Sequence, residues 1–169
     1  MTEIDLGMLL IRLALGPMLV VHGLNKVWGP GGLAGTTGWF AGIGLRPAWL
    51  HARVAAVTEI GAGTLLTLGL LTGPVATAFV GLMVVAWRTD HRGKGYFVFK
   101  GGAEYVVLVA LIAVGVAAVG PGEWSLDALL GLDVSGAVWA TVAGVGGVLA
   151  AGLMLAACYR PSAPDAPQP

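Results

Sequence analysis

Residues 134–159 read VSGAVWATVAGVGGVLAAGLMLAACY, a run of 26 residues without a single charged side chain. A helix needs about 20 predominantly apolar residues to cross the hydrocarbon core of a bilayer, so this run is long enough to span. Two more charge-free stretches, Ile60 to Trp87 and Tyr105 to Gly122, precede it. Across the chain 57% of residues are hydrophobic and 11% charged. Soluble domains carry roughly a quarter charged residues, and the shortfall leaves too few charges for a water-facing surface. The reading is an all-α membrane protein.

Five transmembrane helices are expected: Leu6–Trp28, Leu50–Leu71, Pro74–Trp87 with an extension beyond it, Ala103–Val119 and Val134–Cys158. Glu3 and Asp5 stand where a signal peptide would be basic, so the first segment reads as a retained helix. Between the first two spans, Gly29 to Pro47 opens on Gly-Pro-Gly-Gly and carries Trp39-Phe40, which predicts a loop and a short interfacial helix over Leu33–Leu45. The tail 161–169 is too rich in proline to fold and is expected to be disordered.

If five helices alternate in direction, Lys26, Arg46, Arg53, Arg88, Arg92, Lys94, Lys100 and Arg160 fall on one side. Glu3, Asp5, Glu123, Asp127 and Asp133 fall on the other. Basic residues collect on cytoplasmic loops, which predicts a bacterial plasma-membrane protein with its N-terminus outside and its C-terminus cytoplasmic. Lys+Arg and Asp+Glu number nine each, and this balance gives no reason to expect a nucleic-acid partner. The lone Cys158 excludes a Cys-x-x-Cys redox pair within the chain.

Ionisable groups at membrane depth cost about 2.5–3.5 kcal/mol each on insertion scales, so each asks for a partner or a use. His22, Lys26, Glu59, His91 and Glu104 all fall in the cytoplasmic half and are expected to converge. His22 and Lys26 are four apart on one helix face, and Glu59 lies at their level on the second span. A purely structural ion-pair network explains these residues equally well. Arg12, in the outer half, is expected to pair with Asp127, with Asp5 as the competitor. No short-spaced ligand pair predicts a metal site, and a bis-histidine haem between His22 and His91 is the weaker reading of those residues. Small residues recur as Gly136, Ala140, Gly144 and as Ala143, Gly147, Ala151 on the last span, a pattern that allows close contact with another helix or another subunit.

These residues resemble the DoxX family of small bacterial membrane proteins. The resemblance rests on Arg12-Leu-Ala-Leu-Gly16, His22-Gly23-Leu-Asn-Lys26, Gly38-Trp39-Phe40, Ile43-Gly44-Leu45 and Glu59-Ile-Gly61. It continues through Gly69-Leu-Leu-Thr72, Glu104-Tyr105 and Gly120-Pro-Gly-Glu-Trp-Ser-Leu-Asp127, and runs from about residue 8 to 130. It implies a four-helix core over 1–130, with 131–160 as an additional C-terminal helix. It also implies association with membrane oxidoreductases, since relatives include a subunit of a thiosulfate:quinone oxidoreductase. Mycobacterial members are placed in a complex with superoxide dismutase and a sulfurtransferase.

Three functions follow as expectations. One is a subunit of a redox complex that binds a quinone, with His22, Lys26, Glu59 and Glu104 supplying donors and acceptors and Trp28 or Trp87 walling the ring. The sequence holds no flavin motif, cysteine pair or cluster ligands, so the electrons would come from a partner protein. The others are a non-catalytic membrane anchor and a small-solute transporter, the last without a clear inverted repeat to favour it.

Overall fold

The computed structural model describes residues 2–161, and every described element is helical. The helices are α1 (Glu3–Trp28), α2 (Gly32–Gly42), α3 (Ala48–Leu68), α4 (Thr72–Ala86), α5 (Glu104–Val119), α6 (Leu126–Leu130), α7 (Ala137–Thr141) and α8 (Gly147–Cys158). A π turn, Trp87–His91, prolongs α4 and supplies the extension expected there. A second π turn, Val142–Gly146, joins α7 to α8 in one helix of 22 residues, Ala137–Cys158. Only Pro161 of the expected disordered tail lies among the described residues.

Local chemistry sets the boundaries. Thr2 opens α1 with a capping box: its backbone N–H donates to Asp5 Oδ2 at 2.6 Å, and Asp5 N–H donates to Thr2 Oγ1 at 3.3 Å. The second expected helix is corrected at both ends. It starts two residues early, at Ala48, and stops at Leu68 rather than Leu71, because Gly69 takes the left-handed conformation at φ +64°. The last helix begins at Ala137 rather than Val134, with Gly136 at its N-cap.

α1 and α3 pack along one seam where backbone meets backbone. A Cβ on Gly63 would lie 2.6 Å from Gly16 O and 2.8 Å from Val20 N, so a side chain there would force the helices apart. α4 packs against α5 on one side and α8 on the other, with Gly147 set against Val80. The main core, including Leu19, Leu66, Phe79, Val106 and Val116, fills the space between these layers. A smaller cluster, Phe40, Leu45 and Ala52 with Met154 and Tyr159, lies at the basic end.

The acidic end is stapled shut. Arg12, only 1% exposed, donates from Nη1 to Thr67 O at 3.0 Å and from Nη2 to Trp124 O. Asp127, equally buried, accepts from Leu71 N–H at 2.7 Å, Thr72 N–H at 2.9 Å and Thr72 Oγ1 at 2.6 Å. The expected Arg12–Asp127 ion pair is thus corrected: the two share this buried end, but Asp127 takes backbone and hydroxyl donors, and Arg12 donates to backbone carbonyls from its two Nη atoms while its Nε has no partner among the described residues. The carboxylate holds the turn 69–72 in shape, including Leu71 at φ +54°, a conformation that a branched side chain disfavours. Asp5 adds a further tie by accepting from Glu123 N–H at 3.0 Å.

The outer faces are apolar. Val57 is 71% exposed, Leu111 66% and Leu153 73%, and such residues recur on every long helix. Soluble monomers rarely expose contiguous apolar surface on this scale. Among the described helices, α1 and the continuous α7–α8 helix are long and apolar enough to cross a membrane.

Candidate functional site

α3 and α4 are joined by the tight turn 69–72, and residues of both line a cavity of about 760 Å³. Cavities that bury small organic ligands run from about 300 to 1,000 Å³. α1 contributes Leu19, His22 and Lys26 to its lining, and α2 contributes Trp39 and Phe40. α3 contributes Thr58 and Glu59, α5 contributes Tyr105, and α8 contributes Ala151 and Met154. The walls are predominantly apolar and aromatic, with a few polar groups set among them.

The central polar contact is between Lys26 and Glu59. Lys26 Nζ donates to Glu59 Oε2 at 2.6 Å and to Oε1 at 2.9 Å, and both side chains are about nine-tenths buried, at 13% and 11% exposure. Helical side chains lean towards the N-terminus of their own helix. α1 and α3 lie side by side in opposite directions, so Lys26 leans back along α1 while Glu59 leans the other way, and the two meet. Gly23 makes the approach possible, since a Cβ there would lie 2.7 Å from Ile60 Cγ1 and 3.0 Å from Glu59 Cβ.

His22, one turn before Lys26, stacks on Tyr105 with ring centroids 5.9 Å apart and an interplanar angle of 25°. Tyr105 Oη donates to Met18 Sδ at 3.4 Å, and a thioether is a weak acceptor, so the hydroxyl retains most of its hydrogen-bonding capacity. His91 lines the cavity from the π turn, with Nδ1 held 2.7 Å from Gly101 O.

Of the residues expected at a cytoplasmic-half site, the structure therefore brings together His22, Lys26, Glu59 and His91. Three expectations are corrected. Glu104 turns back to accept from Val98 N–H at 3.0 Å and fixes the α4–α5 loop instead of joining the cluster. Trp28 is 78% exposed at the end of α1, and Trp87 is absent from the cavity lining. The ring-walling role falls to Trp39, Phe40 and Tyr105. Tyr105 was legible only as the neighbour of Glu104; the step of about 100° per helical residue aims the tyrosine inward where the glutamate is not.

A bundle that turns apolar side chains outward around a ligand-sized cavity and a buried ion pair defines a class: small helical membrane proteins. Sequence comparison places the chain within that class. The sequence profile described as DoxX matches residues 7–92, and the chain belongs to this family. A relative from Bacillus subtilis (strain 168), named "Putative oxidoreductase CatD", is 34% identical over 123 residues, covering 73% of this chain and 86% of the relative. No solved structure matches the chain. The profile match stops well short of residue 130, so Tyr105 and the α8 lining residues lie beyond it.

Proposed function

We propose that this protein is the membrane-embedded, ligand-binding part of a redox system, and that its cavity binds a quinone or a similar lipid-soluble carrier. The observation that carries the reading is the Lys26–Glu59 pair with Tyr105 and His22 in an otherwise apolar, aromatic-walled cavity. A quinone carbonyl requires a donor, which Lys26 and the underused Tyr105 hydroxyl supply. Reduction of the ring requires protons, and a carboxylate and an imidazole within one cavity can relay them. The oxidoreductase name of the relative agrees in kind. Electrons would be supplied by a partner protein in a membrane complex.

In this reading the chain crosses a bacterial plasma membrane five times, through α1, α3, α4, α5 and the α7–α8 helix. The N-terminus lies outside and the basic end, with the cavity, faces the cytoplasm. The runner-up, a non-catalytic anchor, drew its support from the small-residue face of the last span. Ala143, Gly147 and Ala151 are buried, and Gly147 is set against α4 of the same chain, so that row is spent internally, while the row Gly136, Ala140 and Gly144 stays half-buried and keeps the anchor reading as the alternative.

The test is a titration of the purified protein in lipid nanodiscs with decyl-ubiquinone, followed by quenching of Trp39 fluorescence and controlled with Trp39→Phe. Saturable quenching is expected in the parent. Tyr105→Phe and Glu59→Gln should each weaken it by about tenfold, the worth of one hydrogen bond involving a charged or well-placed partner. Quenching that rises linearly with quinone, without saturation, refutes the proposal.

A further inference from the structure

We infer that the C-terminal helix is a wall of the ligand cavity and sets the size of what the cavity admits, a reading that rests on the cavity being the ligand site. α3 and α4 line two sides of the cavity, with Val54, Thr58 and Glu59 on α3 and Thr77, Gly81 and Ala86 on α4. α8 packs along α4 and adds a further side. It presents Ala150, Ala151 and Met154 to the cavity. The two alanines keep the space open. Met154 is an unbranched and adaptable side chain that also packs on Phe40 and Leu45.

The helix is fixed beside the cavity at two points. In its middle, Gly147 sits so close to α4 that a Cβ would lie 2.8 Å from Val80 Cβ and 2.9 Å from Thr77 O. At its end the chain forms a clasp with the α2–α3 connection. Arg46 N–H donates to Cys158 O at 2.8 Å, Arg160 N–H donates to Gly44 O at 2.7 Å, and Leu45 and Tyr159 form an antiparallel bridge. Arg88 then lies over the Tyr159 ring, 4.7 Å from its centroid, and donates to Tyr159 Oη at 3.3 Å. The clasp depends on Gly44, which has φ +92°; a Cβ there would lie 2.7 Å from both Arg160 O and Pro161 Cα.

The consequence is that α8, which lies beyond the matched DoxX segment, discriminates by bulk among molecules reaching the Lys26–Glu59 pair. A reporter thiol tests this without any quinone. Thr58→Cys, in a Cys158→Ser background, places one thiol on the cavity wall of the full-length protein in nanodiscs. It is labelled with N-ethylmaleimide and with the bulky N-(1-pyrenyl)maleimide. The ratio of the two rates cancels the intrinsic reactivity of the thiol.

The pyrenyl reagent is expected to be slower by about tenfold in the parent and by less than about threefold in Gly44→Ala, because access then no longer waits on local opening. Far-UV circular dichroism confirms that Gly44→Ala keeps its helices, and Met154→Ala, which enlarges the cavity and leaves the backbone hydrogen bonds of the clasp in place, is the second variant. A ratio near one in the parent, or a ratio that neither variant changes, overturns the inference. Failure of the quinone reading would appear in the quenching titration instead, and the two failures are separable.

Discussion

Removing either half of the Lys26–Glu59 pair leaves a charge behind, but the two halves leave it in different places. Glu59 sits 11 residues inside α3, about 16 Å from its start at 1.5 Å per residue, and its short side chain meets water only through the cavity. Lys26 is two residues from the end of α1 and can swing its four-carbon stem to the basic end. Both groups are nearly nine-tenths buried, so solvent screening discounts little of the pairing. Lys26→Met is therefore expected to cost about 3–5 kcal/mol, the usual penalty for stranding a buried charge, and Glu59→Leu only about 1–2 kcal/mol. The double variant should lie within about 1 kcal/mol of the parent, because two apolar side chains fill the site without an unpaired ion. Reversible unfolding in mixed micelles with increasing dodecyl sulfate measures all three. In thermal melts Lys26→Met should fall by roughly 10 °C. Equal costs for the two single variants, or a double variant whose loss equals their sum, would refute the buried pairing and the asymmetry together.

At the acidic end, Asp127→Ala is expected to cost about 3–5 kcal/mol in the same unfolding assay, since three donors, two of them buried, lose their acceptor, whereas Asp127→Asn should cost about half as much. A loss under 1 kcal/mol for the alanine variant would mean that the 69–72 turn stands without the carboxylate. Gly63→Leu should separate α1 from α3 and cost at least about 3 kcal/mol, well above an ordinary surface change; an unaffected melt would dissolve the seam. A tag placed after Pro169 should resist external protease in intact cells, and cleavage there would remove the fifth crossing.

The parts of the fold written in side-chain type were legible in sequence. Helical spans follow from runs such as 134–159, and the Lys26–Glu59 contact follows from two opposite charges at one depth on successive helices. What escaped depends on the backbone. Arg12 is held by the carbonyls of Thr67 and Trp124, which every residue possesses and no sequence pattern marks, whereas the pattern of charges points to Asp127. Glu104 was misplaced for a related reason: the loop ahead of α5 folds back and offers it the Val98 N–H. Trp28 and Trp87 look suitable by type and depth, but aromatic character does not state which way a helix face turns. Gly69 illustrates the third gap, because a left-handed residue two positions before an expected helix end moved that end and created the turn between α3 and α4.

The way Arg12 is held bears on how the chain is made. Its acceptors lie 55 and 112 residues downstream, so the first helix is synthesised long before the groups that will satisfy its guanidinium exist. An arginine in a helix entering the bilayer costs about 2.5–3.5 kcal/mol until then. The nascent helix carries that cost alone while α3, α4 and α5 are still being translated. Residue 124 then closes the network at the acidic end, and only the C-terminal helix and its clasp on Gly44 and Arg46 are made after it.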